Sequence, residues 1–316
     1  MKQIHSSSYE EQKHESERGG KVRFQTIYEC SIITPLFLVS ADPQQVELRA
    51  PSFKGGIRFW WRALNGNLGI KDMKKKEAEL FGASNEAIGR SKLCLCIPAK
   101  QLEKIDYSPV PHWEDKPEKK SSRIPRLPAA EPEQRFQVLL TSTGDKTTHE
   151  KYQAIFEVAL LLGGFGKRSR RGFGSIEIIK RDGNEYNTPG NMKGLLNLLD
   201  KINQGQFLIS EDEKRIVSKG FTGGYPYVKE IEIGRKYSDM HGLLKTIGHA
   251  SSDYICDYLG YAKAKDRLAS PIYVSIIRNN EGYKPIITTL NTCFNPRYLY
   301  HKDQPNNQQD FKGAIL

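Results

Sequence analysis

Lys54, Arg58 and Arg62 are three cations spaced four residues apart. In a helix that spacing lines them up on one stripe. They lie in the run Ala50-Pro51-Ser52-Phe53-Lys54-Gly55-Gly56-Ile57-Arg58-Phe59-Trp60-Trp61-Arg62-Ala63-Leu64, which reads as a helix opened by Pro51 and capped by the Ser52 oxygen. Phe53, Ile57, Trp60 or Trp61, and Leu64 recur at three and four, so a second stripe is apolar and faces a core. Gly55 and Gly56 each disfavour helix by about 1 kcal/mol relative to Ala and allow close backbone approach. A cationic stripe beside a helix N-terminus suits a polyphosphate backbone. The alternative is an amphipathic helix whose cations are only solvated. Adjacent Trp60 and Trp61 point about 100° apart. One is expected in the core and the other against a neighbouring element or subunit.

A second set of cations lies in Gly163-Gly164-Phe165-Gly166-Lys167-Arg168-Ser169-Arg170-Arg171-Gly172-Phe173-Gly174-Ser175. Glycines let backbone come close to a ligand. Lysine and arginine neutralise phosphates, and aromatic rings stack on unpaired bases. The spacing is not that of a Walker loop. It is not the dinucleotide fingerprint either, because here a helix (Tyr152 to Leu162) precedes the glycines and a strand (Ser175 to Lys180) follows them.

Ser52 to Arg58 and Phe165 to Gly174 resemble the corresponding segments of the RAMP superfamily of CRISPR proteins. The fuller resemblance is to the family of first-numbered subunits of Cmr (type III-B) effector complexes. It rests on Thr34-Pro35-Leu36, Ala41-Asp42, Glu47 to Pro51, Arg58 to Arg62 and Lys265 to Pro271, and so spans most of the chain. The resemblance implies a non-catalytic RNA-binding subunit in a bacterial or archaeal cytoplasm, serving antiviral defence. Its partners would be CRISPR guide RNA, single-stranded target RNA and other Cmr subunits. On this reading Ser52, Lys54, Gly55, Arg58 and Arg62 hold RNA phosphates, and Lys167, Arg168, Arg170 and Arg171 add backbone contacts. Phe165 and Phe173 stack on bases or insert into a partner. Arg49 and Gln44 are secondary candidates.

The chain has 316 residues, a length that fits two domains, and a formal net charge of +11, which suits an acidic partner. Residues 1–20 are polar and read as a disordered leader. Residues 21–184 read as β-α-β-β-α-β, a ferredoxin-like unit with an antiparallel sheet and helices on one face. This unit carries a Pro-rich insertion at about 105–133, expected to be a structureless loop, in which Trp113 is either a partner anchor or a staple. Residues 185–316 show only β-α-β-β, so the second ferredoxin-like module, implied by the resemblance, reads as either incomplete or borrowing the earlier helix. The fold class is therefore α+β.

Cys30, Cys94, Cys96, Cys256 and Cys293 are an odd number, which argues for reduced thiols, all read as buried small hydrophobes. No zinc spacing or histidine cluster stands out, so neither metal nor cofactor is expected. No stretch is long and apolar enough to span a membrane. Two other classes of function remain. Some RAMP relatives cut RNA with an aspartate after the first strand, a place Asp42 occupies here, although Asp42-Pro43 also reads as turn chemistry. A purely protein–protein scaffold is the other.

Overall fold

A computed structural model describes residues 22–83, 88–115, 124–263, 266–279, 281–295 and 305–316. The expected leader at 1–20 lies outside the described residues. The first half runs β1 (Arg23–Ile32), α1 (Ala50–Leu64), α2 (Ile70–Phe81), β2 (Leu93–Cys96), β3 (Lys104–Tyr107), β4 (Leu127–Ala130), β5 (Arg135–Thr143), α3 (Lys146–Leu162), β6 (Ile176–Arg181) and the short β7 (Asn184–Glu185). The second runs α4 (Met192–Asp200), β8 (Phe207–Ile209), β9 (Arg215–Ser218), β10 (Val228–Ile233), α5 (Met240–Asp253), β11 (Tyr261–Lys263), β12 (Asp266–Leu268), β13 (Ile272–Asn279), β14 (Gly282–Leu290) and α6 (Gln308–Gly313).

The first sheet has the order β2-β5-β1-β6-β7, antiparallel throughout. With α1 and α3 as the crossovers, β1, β2, β5 and β6 take the places of a ferredoxin-like β-α-β-β-α-β unit. In the second sheet, β13-β14-β10-β9-β8, the legible β-α-β-β is β10, α5, β13 and β14. The place beside β10 where a closing strand belongs is filled by β9, which comes from upstream in the chain and pairs antiparallel with β10. The module thus closes with a strand borrowed from earlier sequence.

Several local expectations change. α3 starts at Lys146, six residues before Tyr152, because Asp145 Oδ1 accepts the Thr148 N–H at 2.8 Å and caps the helix. The insertion is not structureless. β3 and β4 pair antiparallel, and between them a 3-10 turn at Pro111–Asp115 docks on α5. There Lys245 meets Asp115 at 2.7 Å, His249 meets Asp115 at 2.9 Å, and His241 meets Glu114 at 3.1 Å. Trp113 packs edge-on against His112 of its own turn; residues 116–123 lie outside the described residues. Cys94 and Cys96 do share a face, but it is the exposed one, since Leu93 and Leu95 take the core side of β2. Cys293 is half-buried, while Cys30 and Cys256 are buried.

The core is organised by α3. Ala154 to Leu162 are buried without a break. A helix apolar on every side needs cover on every side. α3 finds it by packing on β1, β5 and β6 of one sheet and on β13 and β14 of the other. One carboxylate interrupts the run. Glu157 accepts hydrogen bonds from the Tyr28 hydroxyl at 3.1 Å, the Tyr186 hydroxyl at 3.1 Å and Arg181 at 2.9 Å, which meets its need for donors. Burial, followed by the Glu157 charge, pushes both phenols upward.

The loop from Gly163 to Gly174 passes between the two sheets. Gly172 donates its N–H to Val274 O at 2.8 Å, and Val274 donates to Arg170 O at 3.3 Å, so the loop adds to the edge of β13. Gly172 has φ +82, and a Cβ there would meet Ile247 Cδ1 at 2.9 Å, Leu244 Cδ2 at 3.0 Å and Ile276 Cδ1 at 3.1 Å. Left-handed backbone and overpacking together set the cost of Gly172→Ala at about 2–4 kcal/mol in urea denaturation. Gly55→Ala, inside a helix with nothing within 4 Å of its Cβ, should instead stabilise by up to about 1 kcal/mol. Equal stability of Gly172→Ala and the parent would show that the seam is loose.

His149 gives a pH prediction. It is buried between Thr26 Oγ1 at 2.9 Å and Ser142 Oγ at 2.8 Å, and burial lowers its pKa. A depressed pKa means the neutral ring stabilises the fold fully above the unfolded value of about 6.5. That contribution is lost as pH falls below 6.5 through the folded value. The Tm of the parent should therefore drop between pH 7.5 and 5, and His149→Gln should flatten that drop. An identical pH profile in the variant would remove His149 from the account.

Candidate nucleic-acid interface

The N-terminus of α1 is set by Arg49, whose backbone is extended and whose carbonyl accepts the first helical N–H groups. No side chain caps it. Ser52 is thus the third helical residue and not the cap expected from sequence; Pro51 opens the helix without needing a partner for its nitrogen. Phe53 stacks on Phe165 with ring centroids 4.3 Å apart and 18° between planes. Gly56 exists for the same contact, since a Cβ there would lie 2.9 Å from Phe165 Cε1. Gly55 faces open space.

Both tryptophans are buried, and being neighbours they go to different partners. Trp60 meets Tyr273 of β13 edge-on at 5.1 Å, across the seam between the sheets. Trp61 meets Phe81 of α2 at 6.1 Å. Phe165 and Phe173 are buried too, so neither is available to stack on a base. Phe173 packs against Phe37 at 5.2 Å and Tyr107 at 6.1 Å. The aromatic rings of both motifs are framework.

The α1 cations have defined partners. Lys54 is half-buried and donates from Nζ to Leu93 O at 3.0 Å; burial lowers its pKa. Arg58 Nε and Arg62 Nη1 both donate to one oxygen, Glu77 Oε1 of α2, at 2.9 and 2.6 Å. Of the arginine side chains 40% of Arg58 and 34% of Arg62 remain exposed, against 10% of Glu77. Positions 54 and 56 lie about 200° apart around a helix. The basic stripe, turned to α2 and β2, is therefore on the opposite flank of α1 from the glycine-rich loop, which packs through Gly56. The structure does not merge the two motifs into one groove.

Within the loop the four cations also divide. Arg171 is half-buried and donates to Leu259 O at 3.2 Å, Ile272 O at 3.1 Å, Arg170 O at 3.0 Å and Ser270 Oγ at 3.1 Å, and its guanidinium lies 5.0 Å from the Phe311 ring centre. Burial first, then the neighbouring Arg168 and Arg170 charges, pushes its pKa down to about 10. Arg170 donates to Ser270 O and lies over Tyr273 at 4.5 Å. Lys167 and Arg168 are exposed, two and three residues beyond the Phe165 contact with the first turn of α1. Arg168 has φ +62, a left-handed conformation that is unusual for a residue with a side chain. Arg49 and Gln44 are exposed in the loop leading into α1. Asp42 lies there as well; its Oδ1 accepts the Gln44 N–H at 2.9 Å, an Asx turn.

Sequence reasoning missed Glu77. A signal was available: Met73, Glu77 and Phe81 recur at four, so a carboxylate stands in the middle of a core-facing stripe. A buried carboxylate demands cations, and Arg58 and Arg62 carry the matching spacing.

The sequence matches the RAMP superfamily over residues 29–177. It is 27% identical over 182 residues to CRISPR system Cmr subunit Cmr1-2 of Pyrococcus furiosus, covering 49% of this chain and 95% of that protein. It is also 27% identical over 169 residues to Cmr1-1 of the same organism, covering 48% of this chain and 47% of that protein. The fold is similar to the crystal structure of apo Cmr1 from Pyrococcus furiosus, with a TM-score of 0.61 and 17% identity over 92% of this chain and 96% of that one. A chain of the cryo-EM structure of the type III-B Cmr-beta complex bound to cognate target RNA aligns with a TM-score of 0.52 and 12% identity, over 92% of this chain and 99% of that one. Residues 29–177 of this chain are a RAMP-superfamily domain, and the ferredoxin-like strand order of the first sheet is its fold.

Proposed function

We propose that this chain is an RNA-binding subunit of a type III-B (Cmr) CRISPR effector complex, contacting guide and single-stranded target RNA beside other Cmr subunits in antiviral defence. Its role is to hold RNA and not to cut it. The two Cmr1 relatives, each matching about half of the chain, support the complex. The single observation that carries RNA binding is Arg168. In a segment with five glycines, an arginine occupies a left-handed position that glycine would fill at lower cost. Its side chain is exposed in part next to Lys167, close enough to the fold that burial lowers its pKa, on a loop anchored by the buried Phe165 and Phe173. Two cations on a rigid corner, with Arg49 at the start of α1, make a seat for a phosphodiester backbone at small ordering cost. Arg58 and Arg62 form a second cationic patch on the other flank of α1. Asp42 works as a turn residue, so its replacement by Ala should leave RNA cleavage by an assembled complex intact.

The test is single-stranded RNA binding across a salt series. For single strands the slope of log K against log salt falls by about 0.7 for each phosphate contact removed. Lys167→Ala/Arg168→Ala should weaken binding and flatten the slope by about 1.4. Arg168→Gly separates function from folding: it should raise stability by roughly 1 kcal/mol by relieving the left-handed arginine, and still weaken binding. Full affinity and full slope in both variants would point to the scaffold reading.

A further inference from the structure

Two guanidiniums on one carboxylate oxygen is an unbalanced arrangement. Arg58 uses Nε and Arg62 uses Nη1 on Glu77 Oε1. A guanidinium has five N–H donors in a planar fork, so each arginine keeps further donors for another acceptor. The two positive charges face one negative charge, so the cluster keeps a net charge of about +1. Glu77 is 7% exposed and lies on the α1-facing side of α2 with Met73 and Phe81, both buried. It therefore holds the forks from behind, on a rigid helix pair, while their outer parts remain in solvent. A tetrahedral anion accepting from both forks fits the charge and the donor geometry.

We infer that Glu77 is a positioning residue that holds Arg58 and Arg62 side by side as a seat for one backbone phosphate of RNA. This rests on the RNA-binding reading above. It makes a prediction of opposite sign from simple charge neutralisation. If Glu77 only offsets charge, removing it leaves the surface more positive and RNA binds more tightly. If it positions the forks, removing it lets two long side chains loose, and their reordering costs binding about tenfold.

The experiment measures a single-stranded oligoribonucleotide on the full chain at several salt concentrations, with Tm recorded for every variant. Glu77→Gln, which removes the charge but keeps the shape, should weaken binding about tenfold. Arg58→Lys/Arg62→Lys keeps both charges and loses both forks; it should weaken binding to a similar extent with the salt slope unchanged. Adding Glu77→Gln to that pair should cost nothing further. Tighter or equal binding by folded Glu77→Gln overturns the inference and leaves the Lys167/Arg168 reading standing. Should Glu77→Gln not fold, the lysine pair decides alone, and parental affinity there overturns the inference. A parent chain that binds no RNA at any salt removes the underlying reading and this inference with it.

Discussion

The seam between the two sheets is held by a half-buried cation, Arg171, with no carboxylate among its contacts in the described residues. Arg171 reaches three backbone carbonyls, one hydroxyl and the face of Phe311. Each acceptor is a neutral dipole, so the charge is solvated by the protein in place of water. That solvation works only if the carbonyls of Leu259, Arg170 and Ile272 all point to one place, which fixes the chain between α5 and β13 relative to the loop. The loop must then lie flat against β13, and glycine is the residue that permits it: at Gly172, Ile247, Leu244 and Ile276 close in where a Cβ would stand. The glycine-rich segment, whose composition suggests a ligand cradle, spends most of its residues on this junction.

What remains for a ligand follows from that allocation. Of the eight cations nominated as phosphate contacts, Arg170 and Arg171 are engaged at the seam and Lys54 is tied to the β2 carbonyl. Arg58 and Arg62 are engaged on one side only, and Lys167, Arg168 and Arg49 are at least partly exposed. Lys167 and Arg168 precede the engaged Arg170 and Arg171 in one short loop, and the Lys167 N–H itself donates to Phe37 O at 3.0 Å, so the exposed cations are mounted on anchored backbone. Rigidity of this kind lowers the entropy cost of binding a flexible single strand.

The fold was legible wherever periodicity matched burial. α1 declared itself through Phe53, Ile57 and Leu64, all buried, and the order of elements in the first half was enough to reach the ferredoxin-like topology. The second sheet was harder because its closure by β9 breaks the usual order in the chain, and a strand of four residues, Arg215–Ser218, carries little pattern. At the site, composition named the right segments and misjudged the use of individual residues. Phe165 and Phe173 look like stacking platforms in a loop, but exposure is decided by what lies across from them, here Phe53 and Phe37. Arg170 and Arg171 are indistinguishable from Arg168 by residue type. Only the direction of the backbone, reversed at the left-handed Arg168 and Gly172, separates outward from inward cations. Cys94 and Cys96 went the same way: period two gave their shared face, and only the neighbouring Leu93 and Leu95 settled which face it was.

Two of the buried carboxylates, Glu157 and Glu77, show how one chemical feature serves opposite ends. Glu157 receives two phenol hydroxyls and one guanidinium. Its single charge is met by a single charge, and the phenols give each of its oxygens a hydroxyl donor. That network is electrically closed, and its product is stability of α3 between the sheets. Glu77 receives two guanidiniums on one oxygen, so its network is left open by one positive charge and by unused N–H donors at the surface. A closed network gains nothing from an added anion, whereas an open one does, because an incoming phosphate completes a charge balance that the fold itself leaves incomplete. The ratio of cations to carboxylates, more than burial or pKa, is what marks the α1–α2 pair as a binding element and the Glu157 cluster as a structural one.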